Sequence, residues 1–266
     1  TAGLKNAKIY FNNKYIEDIT HQEINTYLSK YLAEERNLAK NTIKNYRNVI
    51  SGIFKFAVIN DIIPTNIVKD ISIPRGLRFT PRPLPPDSDI EKVKTNVNIE
   101  FGLFYYIALY TGLRRGEILA LRYEDFDFTN NLIKVDKSIY YKHNKPIVKK
   151  PKTEAGIRFT PFLTELKKVI QPKKTGPVFA DKNGNYLIES QFKSKLDKYR
   201  KITKVVGTPH QVRHEFATYL YEADIGDKDI ATILGHSDVS TSKNIYIHIT
   251  KQRLSKSTEL LNKYFS

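Results

Sequence analysis

The sequence predicts a mainly α fold with a small antiparallel β-sheet, divided into two domains. Two observations carry this. Residues 16–60 place apolar residues at helical spacing, and after a proline-rich stretch the remaining chain alternates helical runs with short strand-like ones. At 266 residues the chain is long enough for two domains of roughly 100–200 residues each. Its 40% apolar and 12% aromatic content suffices for packed cores.

In the first domain, expected over residues 1–74, Thr20 can cap a helix, with Glu23 at the capping-box spacing. Ile24, Tyr27, Leu28, Tyr31 and Leu32 then fall on one helical face. Lys40 to Ile59 forms a broader stripe: Ile43, Tyr46, Val49, Ile50, Ile53, Phe54, Ala57 and Val58. Asn41 or Thr42 can cap it, and Lys40, Lys44, Arg47 and Lys55 sit largely off it, giving a basic outer face. Pro64 stops the pattern, since proline disfavours helix in the residue before it. Residues 75–87, rich in proline and arginine, read as the interdomain linker.

The second domain, 88–266, opens with a helix near Ser88–Asn96 and a strongly apolar one at Glu100–Tyr110. Thr111-Gly112 breaks the latter, and helix resumes over Leu113–Leu121. Tyr123–Phe128 reads as an acidic turn. Leu132–Ser138 and Lys145–Lys149 read as strands around a polar turn at His143-Asn144, with Ile157–Pro161 a third strand. Between them, Lys149 to Gly156 is a turn presenting lysines. Phe162–Ile170 is a short helix, Gly176–Ala180 is extended and Ser190–Thr203 is a basic helix. From Thr208 the chain is mostly helical, ending in an apolar-faced segment, Leu254–Phe265, suited to docking.

The charge balance points to a partner. Lys and Arg number 44 against 28 Asp and Glu, a net +16 that repels itself unless a polyanion accepts it. Nucleic acid leads, ahead of an anionic membrane surface. The absence of cysteine excludes disulfides and thiolate–metal sites. No apolar run approaches the ~18 residues needed to span a bilayer, and no signal peptide opens the chain, so a cytoplasmic protein is expected. The start at Thr1 and the lack of any Met fit a piece lacking its natural start, with an N-terminal module before it.

Thr208 to His248 gathers four of the six histidines, Arg213 and Tyr246 into two short clusters. His210 and Arg213, three apart, share a helical face. His214 points elsewhere and reads as a structural hydrogen-bonder. Gly235 can end a helix and leave His236 at its terminus. A zinc site is disfavoured because Arg213 would repel the cation and HExxH is absent. A two-metal nuclease needs converging carboxylates, whereas Asp224, Asp227, Asp229 and Asp238 are scattered. No metal or cofactor is therefore expected. Phosphoryl transfer is coherent: arginine forks neutralise charge on non-bridging oxygens, a tyrosine hydroxyl attacks, and a lysine on a turn protonates the leaving oxygen.

Four motifs, in order, resemble the tyrosine recombinases, the phage and transposon integrase family. TGLRRGEILAL (111–121) is similar to the first arginine box, PKTEAGIR (151–158) to the lysine hairpin, TPHQVRHEFAT (208–218) to the second box, and LGHSDVSTSKNIYIH (234–248) to the closing box. The resemblance implies Arg114, Lys152, His210, Arg213, His236 and the nucleophile Tyr246 as the catalytic set. It also implies a helical core-DNA-binding domain and a catalytic domain that clamp DNA. The implied reaction runs through a 3′-phosphotyrosine and a Holliday junction, integrating or excising a mobile element. Double-stranded attachment sites, a homotetramer on DNA and accessory DNA-bending or excision factors are the implied partners, in a bacterial cytoplasm at nucleoid DNA. The chain departs from the pattern at Val212, at Glu215 and at Gly156-Ile157, where the family often has Ser-Arg. Lys149 and Lys150 compete with Lys152 for the hairpin role. Two alternatives remain at this point: a DNA-binding regulator without chemistry, and a type IB topoisomerase-like relaxing enzyme.

Overall fold

The computed structural model describes residues 2–78, 84–150, 157–172 and 174–235. The chain divides into two compact units, Thr1–Pro81 and Arg82–Ser266. It is mostly helical, with small antiparallel sheets in the second unit. No helix among the described residues is long and apolar enough to cross a membrane.

The first unit contains α1 (Ala2–Phe11), α2 (His21–Thr26) and α3 (Lys40–Ile59). Thr20 and Glu23 form the expected capping box: the Glu23 N–H donates to Thr20 Oγ1 at 3.2 Å and the Thr20 N–H to Glu23 Oε2 at 3.0 Å. α2 runs on as a π-helical stretch, Tyr27–Glu35, a widening that residue spacing does not announce. Ile24, Tyr27, Leu28 and Leu32 pack against Ile43, Ile50, Phe54 and Ala57 of α3. Each large side chain so buried is worth about 1.5–3 kcal/mol. Lys40, Lys44 and Lys55 are exposed as expected. Arg47 is not part of that basic face. It turns inward and donates to the carbonyls of Ile71 (2.6 Å) and Lys69 (2.9 Å), closing the 3-10 turn Ile67–Asp70 onto α3.

The second unit is built around α5 (Gly102–Thr111), whose Phe104, Tyr105, Ile107, Ala108 and Leu109 are fully buried. A helix apolar on all sides must lie inside a core, and α5 does. Before it lies α4 (Asp87–Thr95), and after it α6 (Arg115–Ala120). A three-stranded antiparallel sheet follows, in the order β1 (Phe126–Asp127), β2 (Leu132–Val135), β5 (Arg158–Pro161). A separate ribbon, β3 (Ser138–Lys142) paired with β4 (Lys145–Lys149), intervenes between β2 and β5.

This corrects one expectation. Leu132–Ser138 is not a single strand paired across the His143-Asn144 turn. The chain leaves one sheet and enters the other at Asp136-Lys137, where Lys137 Nζ is held by Asp125 and Asp136, both at 2.9 Å. The turn itself stands, with positive φ at both His143 and Asn144, as a tight two-residue hairpin requires. The short strand Phe126–Asp127, read from sequence as part of a turn, was missed because two residues carry no periodicity.

The remaining helices are α7 (Thr164–Lys167), α8 (Glu189–Thr203), α9 (Pro209–Glu222) and α10 (Asp227–Leu234). α9 and α10 meet the end of α5 at Gly112. There φ is +59° and an added Cβ would lie 2.5 Å from Phe216 Cδ1 and 2.6 Å from Leu234 Cδ2. Only glycine meets both demands without strain. It brings Arg114, two residues on, to the junction of α9 and α10.

Candidate active site

Arg114 is the residue before α6, and its N–H donates to Glu117 Oε2 at 2.7 Å. Glu117 thus reaches back to the helix start, the acceptor half of a capping box. The Arg114 side chain lies over the same carboxylate, Nη1 to Oε1 at 3.0 Å, and its Nη2 donates to the Gly235 carbonyl at 2.5 Å. Its side chain remains 47% exposed, open to an incoming anion.

Arg213 projects from α9 and is buried. Its Nη2 donates to the Leu234 carbonyl at 2.8 Å, and Nη1 lies 4.0 Å from Glu117 Oε2. Burial first, and then the neighbouring Arg114 cation, push its pKa down to about 9, against the help of Glu117. The cation is therefore held at a cost that an anion in the site would offset.

A third arginine, Arg158 on β5, completes the cluster. It donates Nη1 to Glu117 Oε1 (3.0 Å), Nη2 to Glu117 Oε2 (2.8 Å) and Nε to the Ile233 carbonyl (3.1 Å). Three consecutive carbonyls at the end of α10 are thus each taken by a different guanidinium. Cations suit a helix C-terminus, where unsatisfied carbonyls and the helix dipole concentrate negative charge. Three guanidiniums against one carboxylate leave a net charge of +2 around the residue that precedes His236.

Burial raises the pKa of Glu117, but the bonds and charges of Arg158 and Arg114 outweigh it and hold the carboxyl below its usual value. Gly235 carries φ +65°, and a Cβ there would sit 2.6 Å from Arg158 Cζ. The helix end therefore rests directly on the guanidinium face.

His210 lies in the first turn of α9, exposed, its ring edge-on to His214 at 4.4 Å between centroids. Thr208 caps this helix, accepting from the Gln211 N–H at 3.3 Å, and Pro209 occupies the first turn without losing a bond. Val212 is fully buried and Glu215 is buried within α9. Among the expected residues, Arg114 and Arg213 are brought together and His210 stands one turn before Arg213. Lys152, His236 and Tyr246 lie outside the described residues, as do 151–156 of the turn expected over Lys149–Gly156 and the closing segment 236–266.

Arg158 and Glu117 were given no role on sequence grounds. A signal existed for the arginine. In β5 the polar Arg158 and Thr160 face inward while Phe159 is 52% exposed, the reverse of ordinary alternation.

Comparison with known proteins matches residues 90–253 to the phage integrase family and residues 6–63 to a phage integrase N-terminal SAM-like domain. A tyrosine recombinase XerC-like protein of Caldanaerobacter subterraneus subsp. tengcongensis is 27% identical, covering 98% of this chain and 75% of its own length. The ICEBs1 integrase of Bacillus subtilis is 28% identical, covering 92% of this chain and 71% of its own. The fold is similar to the Tn1549 transposon integrase in complex with transposon right end DNA, at TM-score 0.68, 22% identity, 96% of this chain and 92% of that one. It is also similar to the XerH site-specific recombinase bound to a difH substrate, at TM-score 0.63, 20% identity, 98% of this chain and 78% of that one.

Proposed function

The chain belongs to the phage integrase family and is a site-specific DNA recombinase of the tyrosine type, within which we propose that Arg114 and Arg213 grip the scissile phosphate while Tyr246 attacks it. The observation that supports this is the convergence of the two guanidiniums on the Gly235 and Leu234 carbonyls, immediately before His236. Bidentate arginine forks match the non-bridging oxygens and stabilise the charge that builds on them during in-line displacement.

The Tyr246 oxygen forms a bond to phosphorus, and the bond from phosphorus to the 5′ oxygen breaks. Lys152 gives that oxygen its proton. His210, at the open edge of α9, accepts the tyrosine proton, and His236 holds a phosphate oxygen. The product is a 3′-phosphotyrosine that conserves the energy of the bond. A partner strand's 5′ hydroxyl reverses the attack, and a second exchange resolves the Holliday junction. On this reading the unit Thr1–Pro81 is the core-DNA-binding domain and Arg82–Ser266 the catalytic one. The chain works as a homotetramer on paired double-stranded attachment sites, assisted by DNA-bending or excision factors, to integrate or excise a mobile element.

A nicked duplex that loses its 5′ fragment after cleavage tests the assignment. Wild type should accumulate a covalent protein–DNA adduct and Tyr246→Phe none. An adduct that persists in Tyr246→Phe would remove the nucleophile from this scheme. No adduct with wild type would favour a DNA-binding protein without chemistry.

A further inference from the structure

We propose that Asp89 is a positioning residue for strand cleavage: its buried carboxylate fixes the peptide at Gly207, and with it the first turn of α9, which carries His210 and leads on to Arg213. The inference rests on the reading of those two residues given above. Asp89 lies in the first turn of α4 and is 1% exposed. There an acidic side chain ordinarily serves its own helix. Here Oδ2 instead accepts two backbone N–H groups from a loop 117 and 118 residues away, Val206 at 2.9 Å and Gly207 at 2.7 Å.

The next peptide, Gly207–Thr208, is held as well. The Tyr105 hydroxyl, on the central helix α5, donates to the Gly207 carbonyl at 3.1 Å inside the core. Tyr105 is itself stacked on Tyr199 of α8, 5.1 Å between ring centroids. Burial raises its pKa well above the usual value, so the hydroxyl stays a donor. Lys92 straps the loop a third time, bonding Asp89 Oδ1 at 3.3 Å and the Lys204 carbonyl at 3.2 Å. Gly207 has no room to yield. A Cβ there would stand 2.9 Å from Pro85 Cβ and 3.3 Å from Asp89 Oδ2.

Thr208, the cap of α9, is the next residue, and His210 follows two later. Burying a carboxylate is costly unless it is fully hydrogen-bonded, and an apolar contact would stabilise the loop as well. What the carboxylate supplies beyond stability is a fixed point at the start of the helix. Displacing a reacting group by about 1 Å lowers rates on the order of 10²-fold.

The test is single-turnover cleavage of the nicked duplex at saturating DNA, with Asp89→Asn and, as a gentler change at the Gly207 carbonyl, Tyr105→Phe. The cleavage rate constant should fall roughly tenfold or more in both, with DNA affinity unchanged. A residue that merely holds the fold would lower the melting temperature and the fraction of active molecules, but leave the rate constant of the active fraction intact. That pattern in both variants would overturn the proposal. His210→Ala is measured alongside. If it cleaves at the wild-type rate while the two variants are slow, the fault lies in the assignment of His210. If it is slow while the two variants are not, the fault lies in Asp89.

Discussion

Arg158 and Glu117, 41 residues apart, form a buried two-bond ion pair, Nη1 to Oε1 at 3.0 Å and Nη2 to Oε2 at 2.8 Å. The pair joins β5, which follows residues 151–156 in the chain, to α6, which follows Arg114. Glu117 is also the only carboxylate bonded to Arg114 or Arg158 among the described residues. Glu117→Ala therefore leaves the buried Arg158 guanidinium without its counter-charge. A stability loss of about 3–5 kcal/mol is expected by urea unfolding. Glu117→Leu combined with Arg158→Met should lose less than the two single changes added together, because the double variant leaves neither member of the pair buried without the other. Additive losses would show that the pair does not act as a unit.

The pH dependence of the pair has a definite sign. The Glu117 carboxyl is held below its ordinary value of 4.5 in the folded state. A depressed acid pKa contributes stability that is fully present above the unfolded value and lost as pH falls through the folded one. The stability difference between wild type and Glu117→Gln should thus be constant from about pH 8 to 5.5 and shrink below about pH 4.5. A difference that shrinks on the alkaline side instead would refute the assignment.

Much of this was legible in the chain. The α3 stripe and the Thr20–Glu23 capping box are local patterns, and local patterns survive folding. Arg114 and Arg213 were legible because each sits in a short linear motif. The Arg158–Glu117 pair was not, because it depends on how β5 lies beside α6 and α10. The carbonyls of Ile233, Leu234 and Gly235 were illegible for a different reason: backbone acceptors have no sequence signature at all. The split of β2 from β3 was hidden because Asp136 and Lys137 look like ordinary polar strand residues until their partner Asp125 is in place.

Gly235 is required twice over, for its φ of +65° and for its contact with Arg158. The two demands can be separated. Gly235→Ala should suffer both, losing roughly 1–2 kcal/mol to the left-handed backbone alone and displacing the guanidinium besides. Gly235→Asn tolerates the backbone better but still carries a Cβ. Both should cleave slowly if the contact matters. Recovery of cleavage in Asn alone would assign the whole effect to backbone strain, as read by melting temperature beside adduct yield.

The cost of holding Arg213 charged should appear as anion-dependent stability. Its pKa is pushed down to about 9 by burial and by Arg114. Sulfate or phosphate should therefore raise the melting temperature more than chloride at equal ionic strength, through binding to the folded state. In Arg114→Ala, which removes one arm of the site, the anion-specific part of the rise should diminish. An undiminished rise would place the anion elsewhere on this basic chain.

The proton donor is the role with the sharpest chemical test. An alcohol leaving group needs a proton in the transition state, and removing the general acid typically costs 10²–10⁴-fold. A thiol, with a pKa of about 8.5, departs as the thiolate without one. Lys152→Ala should therefore cleave an ordinary strand slowly and regain its rate when sulfur replaces the bridging 5′ oxygen. Arg114→Ala should stay slow on both, because in the proposed scheme its charge acts on the non-bridging oxygens, which the sulfur does not change. Lys149→Ala and Lys150→Ala should cleave both substrates normally. If either shows the sulfur-rescued defect instead of Lys152→Ala, the acid is that lysine, and the hairpin register shifts by two or three residues.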